Sequence, residues 1–270
     1  MKKKRTIIVV SITIIAVFLL LVGMVAWLMR PFNDNPSNIS LDSKMLIAHA
    51  GGLIDGYLYT NSKEALLKSI SEGYQYIELD LYRTTDGPIV CLHELEDFHE
   101  MTDLKHVHRF DLKTFKKARF HYKYTPLSLD EAIEIWEAHS FTFVTDKISD
   151  PSILNHYFTR NRNHVMVEAK NAIHYKQLKD EGFITMLSLD KNINGLMKFV
   201  ISSILTGTII ERIAIPKATD ICYLRFYKRL GVKVAMFTIN DSAYFNKHLA
   251  GYVNYIYTDS ISPKNLRKSD

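Results

Sequence analysis

The 270-residue sequence has little cysteine and, beyond its first thirty residues, no excess of either charge. Its two cysteines, Cys91 and Cys222, are far apart and lack metal-binding spacing, which argues against a thiolate metal site. Five of the 34 basic residues lie in positions 1–30, which leaves 29 basic and 29 acidic residues in the remainder. Because nucleic-acid-binding proteins usually carry an excess of basic side chains, we expect no nucleic-acid partner.

The first thirty residues contain no acidic side chain. Four basic residues at 2–5 precede an uncharged apolar run at 7–29, which is long enough to cross a hydrocarbon core of about 30 Å. The run is longer than the apolar part of a cleaved signal peptide and has no small-residue cleavage site, so we expect an uncleaved anchor. The basic start should stay in the cytoplasm, which would place the rest of the chain outside a single-pass cell-membrane anchor.

The sequence predicts four regions. Residues 1–30 form the cytoplasmic basic start and the transmembrane signal anchor, and residues 31–44, rich in Pro, Asn, Ser and Asp, have the composition of a linker. Residues 45–263 form one barrel domain, and residues 264–270 form a C-terminal tail.

Beyond the linker, short apolar runs alternate with segments whose apolar residues recur every three or four positions. This alternation, repeated about eight times, predicts the α/β class and a (β/α)₈ TIM barrel. An open doubly wound sheet is the alternative, but the first run is not followed by G-x-G-x-x-G. Residues 94–127 break the rhythm and are expected to be an insertion between the second and third units. The apolar runs lie at 45–50, 76–82, 88–93, 141–146, 164–169, 183–189, 212–218, 233–240 and 255–259.

Polar residues close several of these runs, and active sites of TIM barrels lie at the C-terminal ends of strands. Glu78 and Asp80 are two positions apart on one run, so both should face the same side. Two buried carboxylates repel each other, and a hard divalent cation would relieve that repulsion. His49 and His93 would supply an acid and a base. Taken singly, each residue is better explained as an ion-pair partner or a surface histidine; their joint position at strand ends favours catalysis.

Several short motifs together resemble the glycerophosphodiester phosphodiesterase family over about residues 45–263. That family reads H-R-G, E-N-T, E-x-D, T-x-D-G and H-D in its first part. Segments 237–241 (FTIND) and 256–263 (IYTDSISP) resemble its last two strands. The matching pieces here are His49-Ala50-Gly51, Thr60-Asn61-Ser62, Glu78-Leu79-Asp80, Thr85-Asp86-Gly87 and His93-Glu94.

The resemblance implies roles for individual residues. His49 and His93 would perform acid–base chemistry, and Glu78 and Asp80 would hold one Ca²⁺ or Mg²⁺ together with a third carboxylate. We expect the third ligand to be Asp146, which closes the run after the segment 128–139.

Other assignments are less direct. Glu168 is the alternative third ligand, because VEAK at 167–170 has the family's E-x-K pattern, although it falls one strand later. Asn61 and Lys147 are expected to bind substrate. The family's phosphate-binding arginine is Ala50 here, so Lys147 or Lys170 would have to replace it.

The expected function is therefore a membrane-anchored, metal-dependent phosphodiesterase. It would hydrolyse a small-molecule or lipid-derived glycerophosphodiester to glycerol 3-phosphate and an alcohol at the outer membrane face. Two alternatives remain: a phospholipase or cell-surface polymer phosphodiesterase on the same barrel, and an inactive barrel that binds a phospho-ligand. The oligomeric state is left open.

Overall fold

The computed structural model describes residues 2–30 and 40–266, without the side chains of residues 2–10 and of Leu28. Most of the predicted linker at 31–44 and the end of the predicted tail at 264–270 lie outside the described residues.

Eight parallel strands close into a barrel, which confirms the predicted fold. The strands follow one another around it, and β1 closes the ring by pairing with both β9 and β2. The apolar runs form strands because a parallel strand covered by helices is buried on both faces, so nearly every position favours an apolar residue. The barrel strands are β1 (Leu46–Ala48), β2 (Tyr76–Arg83), β4 (Thr142–Asp146), β5 (Val165–Ala169), β6 (Ile184–Ser188), β7 (Arg212–Pro216), β8 (Lys233–Phe237) and β9 (Tyr255–Thr258).

The ninth apolar run forms β3 (Ile89–Cys91), which pairs antiparallel with the end of β2 and stands outside the barrel. The chain then runs through α3 (Leu95–Met101) and α4 (Leu112–Lys117) before it returns to the barrel. The insertion therefore lies inside the second unit, between β2 and its helix. The expectation that it separates the second and third units was wrong, because the hairpin leaves β2 before that unit's helix has formed.

The insertion has its own hydrophobic core. Phe98, Phe115 and Phe120 are fully buried there, and Phe110 lies with its ring centroid 4.6 Å from that of Phe98. This cluster is separate from the main core between strands and helices and from the small cluster inside the barrel.

Helices surround the barrel, and their starts and buried faces follow from the sequence. The helix α5 begins with a capping box, in which Ser128 and Glu131 satisfy each other's backbone N–H groups. Its residues Leu129, Ala132 and Trp136 recur at helical spacing and are buried. The outer helices are α2 (Lys63–Glu72), α5 (Leu129–Glu137), α6 (Pro151–Tyr157), α7 (Ala172–Asp180), α8 (Asn192–Thr206), α9 (Ile221–Arg229), α10 (Ser242–Tyr244), which continues into a π-helical turn at Phe245–Leu249, and α11 (Pro263–Leu266).

The N-terminal helix α1 (Lys2–Leu28) meets the barrel domain at α9, where the Arg229 guanidinium lies 4.9 Å from the ring centroid of Trp27. Within the part of the chain that the structure describes, no helix combines the length and the apolar content needed to cross a membrane. The structure therefore gives no support for the anchor expected at 7–29. Some side chains of that segment lie outside the described residues.

Candidate active site

A tight turn after β1 places the first histidine. The turn His49–Gly51 bends the chain at the strand end, with Ala50 in the left-handed region at φ 49°. Gly52 follows at φ 91°, and a Cβ atom there would lie 2.4 Å from the Ser69 hydroxyl oxygen. Only glycine fits this position, because both the backbone conformation and the space exclude a side chain.

His49 is held by the last two strands of the barrel. Its Nδ1 lies 2.9 Å from Oδ1 of Asp259, and the Asn240 amide donates to the other carboxylate oxygen at 2.7 Å. Burial raises the pKa of Asp259, but the hydrogen bonds from His49 and Asn240 outweigh it, and the pKa lies below its ordinary value. The carboxylate is therefore charged at neutral pH. It accepts the Nδ1 proton and leaves Nε2 of His49 for a substrate.

His93 forms a similar pair on the insertion. It follows β3, and its Nδ1 lies 2.8 Å from Oδ2 of Asp97 in α3. The side chains of His93 and Asp97 are 29% and 27% exposed, against 15% and 9% for His49 and Asp259. The second pair is thus closer to solvent than the first.

Tyr59 packs against both histidines. Its ring centroid is 4.8 Å from that of His49 and 5.4 Å from that of His93. Burial and the negative charge of Asp259 raise the pKa of Tyr59, although its hydrogen bond to Thr238 opposes the rise. The Tyr59 phenol is therefore neutral at ordinary pH.

The two carboxylates of β2 lie beneath this space. Glu78 accepts a hydrogen bond from the Ala50 backbone N–H at 2.7 Å, and the Asn61 amide donates to Asp80 at 3.0 Å. Asn61 also accepts from the Asp80 backbone N–H at 3.0 Å and is fully buried. Asn61, expected to bind substrate, thus has both ends of its amide bonded to Asp80 and positions that carboxylate.

Burial dominates the electrostatics of this pair. It raises the pKa of Glu78 well above its usual range, and the charge of Asp80 adds to the rise. Burial also raises the pKa of Asp80, while Asn61, His93 and His49 partly offset that effect. The side-chain atom Oε1 of Glu78 is buried without a hydrogen-bond partner among the described residues. Such an orphaned acceptor is costly unless a ligand fills the place beside it.

Two further carboxylates lie at the ends of the next strands. Asp146 of β4 is the direct register partner of Asp80, and Glu168 lies on β5, the strand beyond. The Lys170 ammonium contacts Asp146 and lies 3.6 Å from Oε1 of Glu168, and the Tyr257 hydroxyl donates to Glu168 at 3.2 Å. Burial and the charge of Asp146 raise the pKa of Glu168. Strand order thus places Asp146 beside Asp80, as expected from the sequence.

The donor set suits a hard divalent cation, since it consists of carboxylate oxygens and includes the orphaned Oε1 of Glu78. No three His, Cys, Asp or Glu side chains of the described residues are already grouped closely enough to form a metal site. The Lys170 ammonium supplies positive charge next to Asp146 and Glu168.

The structure brings the other expected residues to the same end of the barrel. Lys147 follows β4 directly, and its Nζ lies 3.4 Å from Oε1 of Glu94. Ala50, Tyr59, Asn61 and Lys147 all have left-handed backbone conformations, which are strained for residues other than glycine and cluster at functional sites.

Sequence reasoning assigned no role to four site residues. Asp259 and Asn240 lie in the two C-terminal motifs, so their motif positions were visible but their hydrogen bonds to His49 were not. Tyr59 precedes the Thr60-Asn61-Ser62 motif, and Asp97 is one of several acidic residues in the insertion. Nothing local in the sequence distinguishes either of them.

Comparison with known proteins identifies the family of the chain. The model of the glycerophosphoryl diester phosphodiesterase family matches residues 52–196. No curated protein sequence gives a significant match.

Solved structures of similar fold include three bacterial enzymes. A phosphodiesterase from Oleispira antarctica, in complex with the product sn-glycerol-3-phosphate, is 17% identical with a TM-score of 0.65, over 83% of this chain and 96% of that one. A glycerophosphoryl diester phosphodiesterase from Parabacteroides distasonis is 18% identical with a TM-score of 0.60, over 91% of this chain and 90% of that one. A glycerophosphodiester phosphodiesterase from Thermotoga maritima is 17% identical with a TM-score of 0.59, over 84% of this chain and 98% of that one. At these identities the likeness shows the fold alone.

The family match covers more than half of the chain and includes Glu78, Asp80 and His93, while His49 lies just before its first residue. The chain is a phosphoric diester hydrolase and belongs to the glycerophosphoryl diester phosphodiesterase family.

Proposed function

We propose that the protein hydrolyses a glycerophosphodiester to glycerol 3-phosphate and an alcohol with the help of a divalent cation. The observation that carries this proposal is the placing of two histidine–aspartate pairs around the Glu78 and Asp80 carboxylates. A phosphodiester needs a base for the attacking hydroxyl, an acid for the leaving oxygen and positive charge near the phosphate. The two imidazoles would serve as the first two, and the carboxylates would hold the third.

The histidines would carry out the proton transfers. Asp259 and Asp97 each accept the Nδ1 proton of their histidine, so Nε2 of both imidazoles is available to the substrate. One of His49 and His93 accepts the proton of the attacking hydroxyl, and the other protonates the leaving oxygen. The Tyr59 ring packs against both imidazoles.

The carboxylates Glu78, Asp80 and Asp146 would hold the cation. A bound Ca²⁺ or Mg²⁺ would neutralise the phosphate and polarise its P–O bonds. Asn61 fixes the rotamer of Asp80 through two hydrogen bonds, and the Ala50 N–H fixes one oxygen of Glu78. Both carboxylates are therefore held in place before a cation arrives.

The family and two lysine side chains of the site support the proposed substrate class. The related enzyme from Oleispira antarctica was solved with sn-glycerol-3-phosphate as product. Here Lys147 and Lys170 lie at the ends of β4 and β5 and would bind the phosphate in place of the arginine that Ala50 replaces. A lipid-derived diester would fit the same chemistry. An inactive barrel is disfavoured because both histidines and both β2 carboxylates are present.

We also propose that residues 7–29 anchor the barrel at the outer face of the cell membrane. The support is the sequence, which has four basic residues before an uncharged apolar run and only Arg30 directly after it. Most apolar side chains of α1 between residues 12 and 27 are exposed, Leu20 to 73%. Protease added to intact cells should digest the barrel domain while the protein keeps its original N-terminus. A soluble protein that begins near residue 30 would contradict the anchor.

The decisive test of the activity uses the full chain in detergent with a chromogenic phosphodiester, with and without EDTA. We expect turnover that EDTA abolishes and that added Ca²⁺ or Mg²⁺ restores. The matched control is Glu78→Gln, which keeps the shape of the side chain but removes its charge and should lower turnover at every metal concentration. Activity indifferent to EDTA, or restored only by a thiophilic metal, would contradict the proposed cation site.

A further inference from the structure

The outer face of α8 differs from those of the neighbouring helices. Five exposed apolar residues of α8 recur at three- and four-residue spacing. Together with Val200 they form an apolar stripe that covers about 140° of the helix circumference at 100° per residue. The opposite face, with Leu196 and Phe199, packs against the barrel. The stripe, called the α8 face below, consists of Ile193, Met197, Val200, Ile201, Ile204 and Leu205.

Exposure of this extent is unusual for the outside of a barrel. Ile204 and Leu205 are 73% and 70% exposed, and Ile173 on the adjacent α7 is 66% exposed. Single exposed apolar residues are common, but contiguous apolar patches on soluble proteins usually mark an interaction surface. By contrast, α5 presents Asp130, Glu134 and Glu137 along its length.

The charge around the α8 face points to one kind of partner. Residues 191–210 contain two lysines and no acidic residue, and α9 contributes Arg225, Lys228 and Arg229. A convex apolar helix flanked by basic side chains is the arrangement found in helices that lie in the headgroup region of an anionic bilayer. Asp180 on α7 and Asp190 and Glu211 at the two ends of the segment are acidic, whereas α8 and α9 themselves carry basic residues only.

The position of α1 supports the same partner. The end of α1 contacts α9, the next helix around the barrel from α8, and Trp27 lies under the Arg229 guanidinium. Tryptophan is enriched at the boundary between headgroups and acyl chains. A membrane that receives α1 would therefore meet the barrel on the side of α8 and α9.

We propose that the α8 face lies on the surface of an anionic phospholipid bilayer and orients the barrel on it. The proposal rests on the proposed membrane location, but it adds a second contact that is independent of α1. Ile204 and Leu205 would enter the boundary between headgroups and acyl chains, and the basic residues of α8 and α9 would contact lipid phosphates. The catalytic end of the barrel would then be held at a fixed height above the lipid.

The test compares three reporters of nearly equal exposure on the full chain. Cys222 is first replaced by serine, while the buried Cys91 is left in place. Single cysteines then replace Leu20 in α1, Ile204 in α8 or Tyr122 in the insertion, which are 73%, 73% and 79% exposed. Each is labelled with the same polarity-sensitive dye and placed in phosphatidylcholine–phosphatidylglycerol vesicles that contain brominated acyl chains.

We expect the bromolipids to quench the Ile204→Cys dye several times more than the Tyr122→Cys dye, and the Leu20→Cys dye most of all. Quenching at Leu20 with none at Ile204 would overturn the α8 proposal and leave the anchor intact. Absence of quenching at both would overturn the location and the α8 contact together. Cross-linking of Ile204→Cys between copies without quenching would show that a second chain covers the face instead.

A second variant separates the contact from catalysis. Ile204→Glu with Leu205→Glu should raise the KM for a vesicle-embedded diester at least about tenfold, because two charges oppose entry into the bilayer boundary. The kcat and KM for the soluble chromogenic diester should be unchanged, since α8 contributes no residue to the site. Equal effects on both substrates would contradict the proposal. Loss of all activity in the unsubstituted chain would instead contradict the proposed function, and the quenching would still report on the contact.

Discussion

The two histidine–aspartate pairs have almost the same geometry and very different surroundings. The Nδ1–Oδ distances are 2.9 Å for His49 and 2.8 Å for His93. Asp259 is also bonded to Asn240, and it lies directly after β9, so the first pair is fixed by barrel strands. Asp97 is in a seven-residue helix of the insertion, and its side chain is three times as exposed as that of Asp259.

The difference shows that the two histidines are held in place by different parts of the structure. His49 cannot move without disturbing the junction of β1, β8 and β9, whereas His93 depends on the hairpin β2–β3 and on the core formed around Phe98. The insertion has its own core, while Ile89 and Cys91 of β3 pack in the main core and join the insertion to the barrel. A substrate would be bound between a fixed imidazole and one carried by a separately packed segment.

The largest effects should come from the imidazoles themselves. His49→Ala and His93→Ala should each lower kcat by about 10²–10⁴-fold with little change in Tm, because each removes one proton-transfer group. The control is His156→Ala, which changes an exposed histidine of α6. Near-normal activity in either site variant would contradict the assignment, and activity retained only in His93→Ala would show that the inserted histidine is dispensable.

An intermediate effect should separate the two aspartates. Asp259→Asn should lower kcat by about 10²-fold, because the buried acceptor that holds the His49 tautomer loses its charge. Asp97→Asn should lower kcat less than about fivefold, because a partly exposed ion pair contributes about 1 kcal/mol or less. Both variants should be measured as pH profiles of kcat/KM. Equal losses would mean that the exposure of the two pairs does not determine their importance.

Local pattern predicted much of the fold. Barrel strands are buried on both faces, so each of the eight appears as an apolar run, and Leu129, Ala132 and Trp136 show the helical period of α5. The run at 88–93 was not distinguishable from a barrel strand, because Cys91 is as fully buried in its antiparallel hairpin as Leu79 is in the barrel. Burial alone does not say which strand is the neighbour.

The types of the candidate site residues and their positions at strand ends could be predicted from the sequence. His49, Glu78, Asp80 and Asp146 reach the same end of the barrel because strand ends of one parallel sheet meet there. His93 reaches it by another route, because β3 folds back antiparallel along the end of β2. The hydrogen-bond partners of these residues could not be predicted from the sequence. The contact of His49 with Asp259, for example, spans 210 positions. Asn61 shows the same limit: its motif was recognised, but its two bonds to Asp80 depend on the fold.

The smallest expected effect concerns the third cation ligand, for which Asp146 on β4 is compared with Glu168 on β5. Asp146 is the register partner of Asp80, so it lies on the strand next to the β2 carboxylates. Glu168 lies one strand farther and is bonded to the Tyr257 hydroxyl. Asp146→Asn should raise the metal concentration for half-maximal activity more than about tenfold, and Glu168→Gln should raise it less than about threefold.

Lys170 decides how this result is interpreted, because its ammonium contacts Asp146 and lies near Glu168. Lys170→Met keeps both carboxylates and removes the competing positive charge, so metal affinity should rise or stay the same while KM for the phosphodiester increases. If Glu168→Gln is the severe variant, the cation lies nearer β5 and Asp146 serves to hold Lys170. If neither substitution changes the metal dependence, the β2 carboxylates bind the cation without a third carboxylate from β4 or β5. In each case the ligands are carried by barrel strands, on the same rigid framework as His49, and the segment that follows β3 supplies the His93–Asp97 pair.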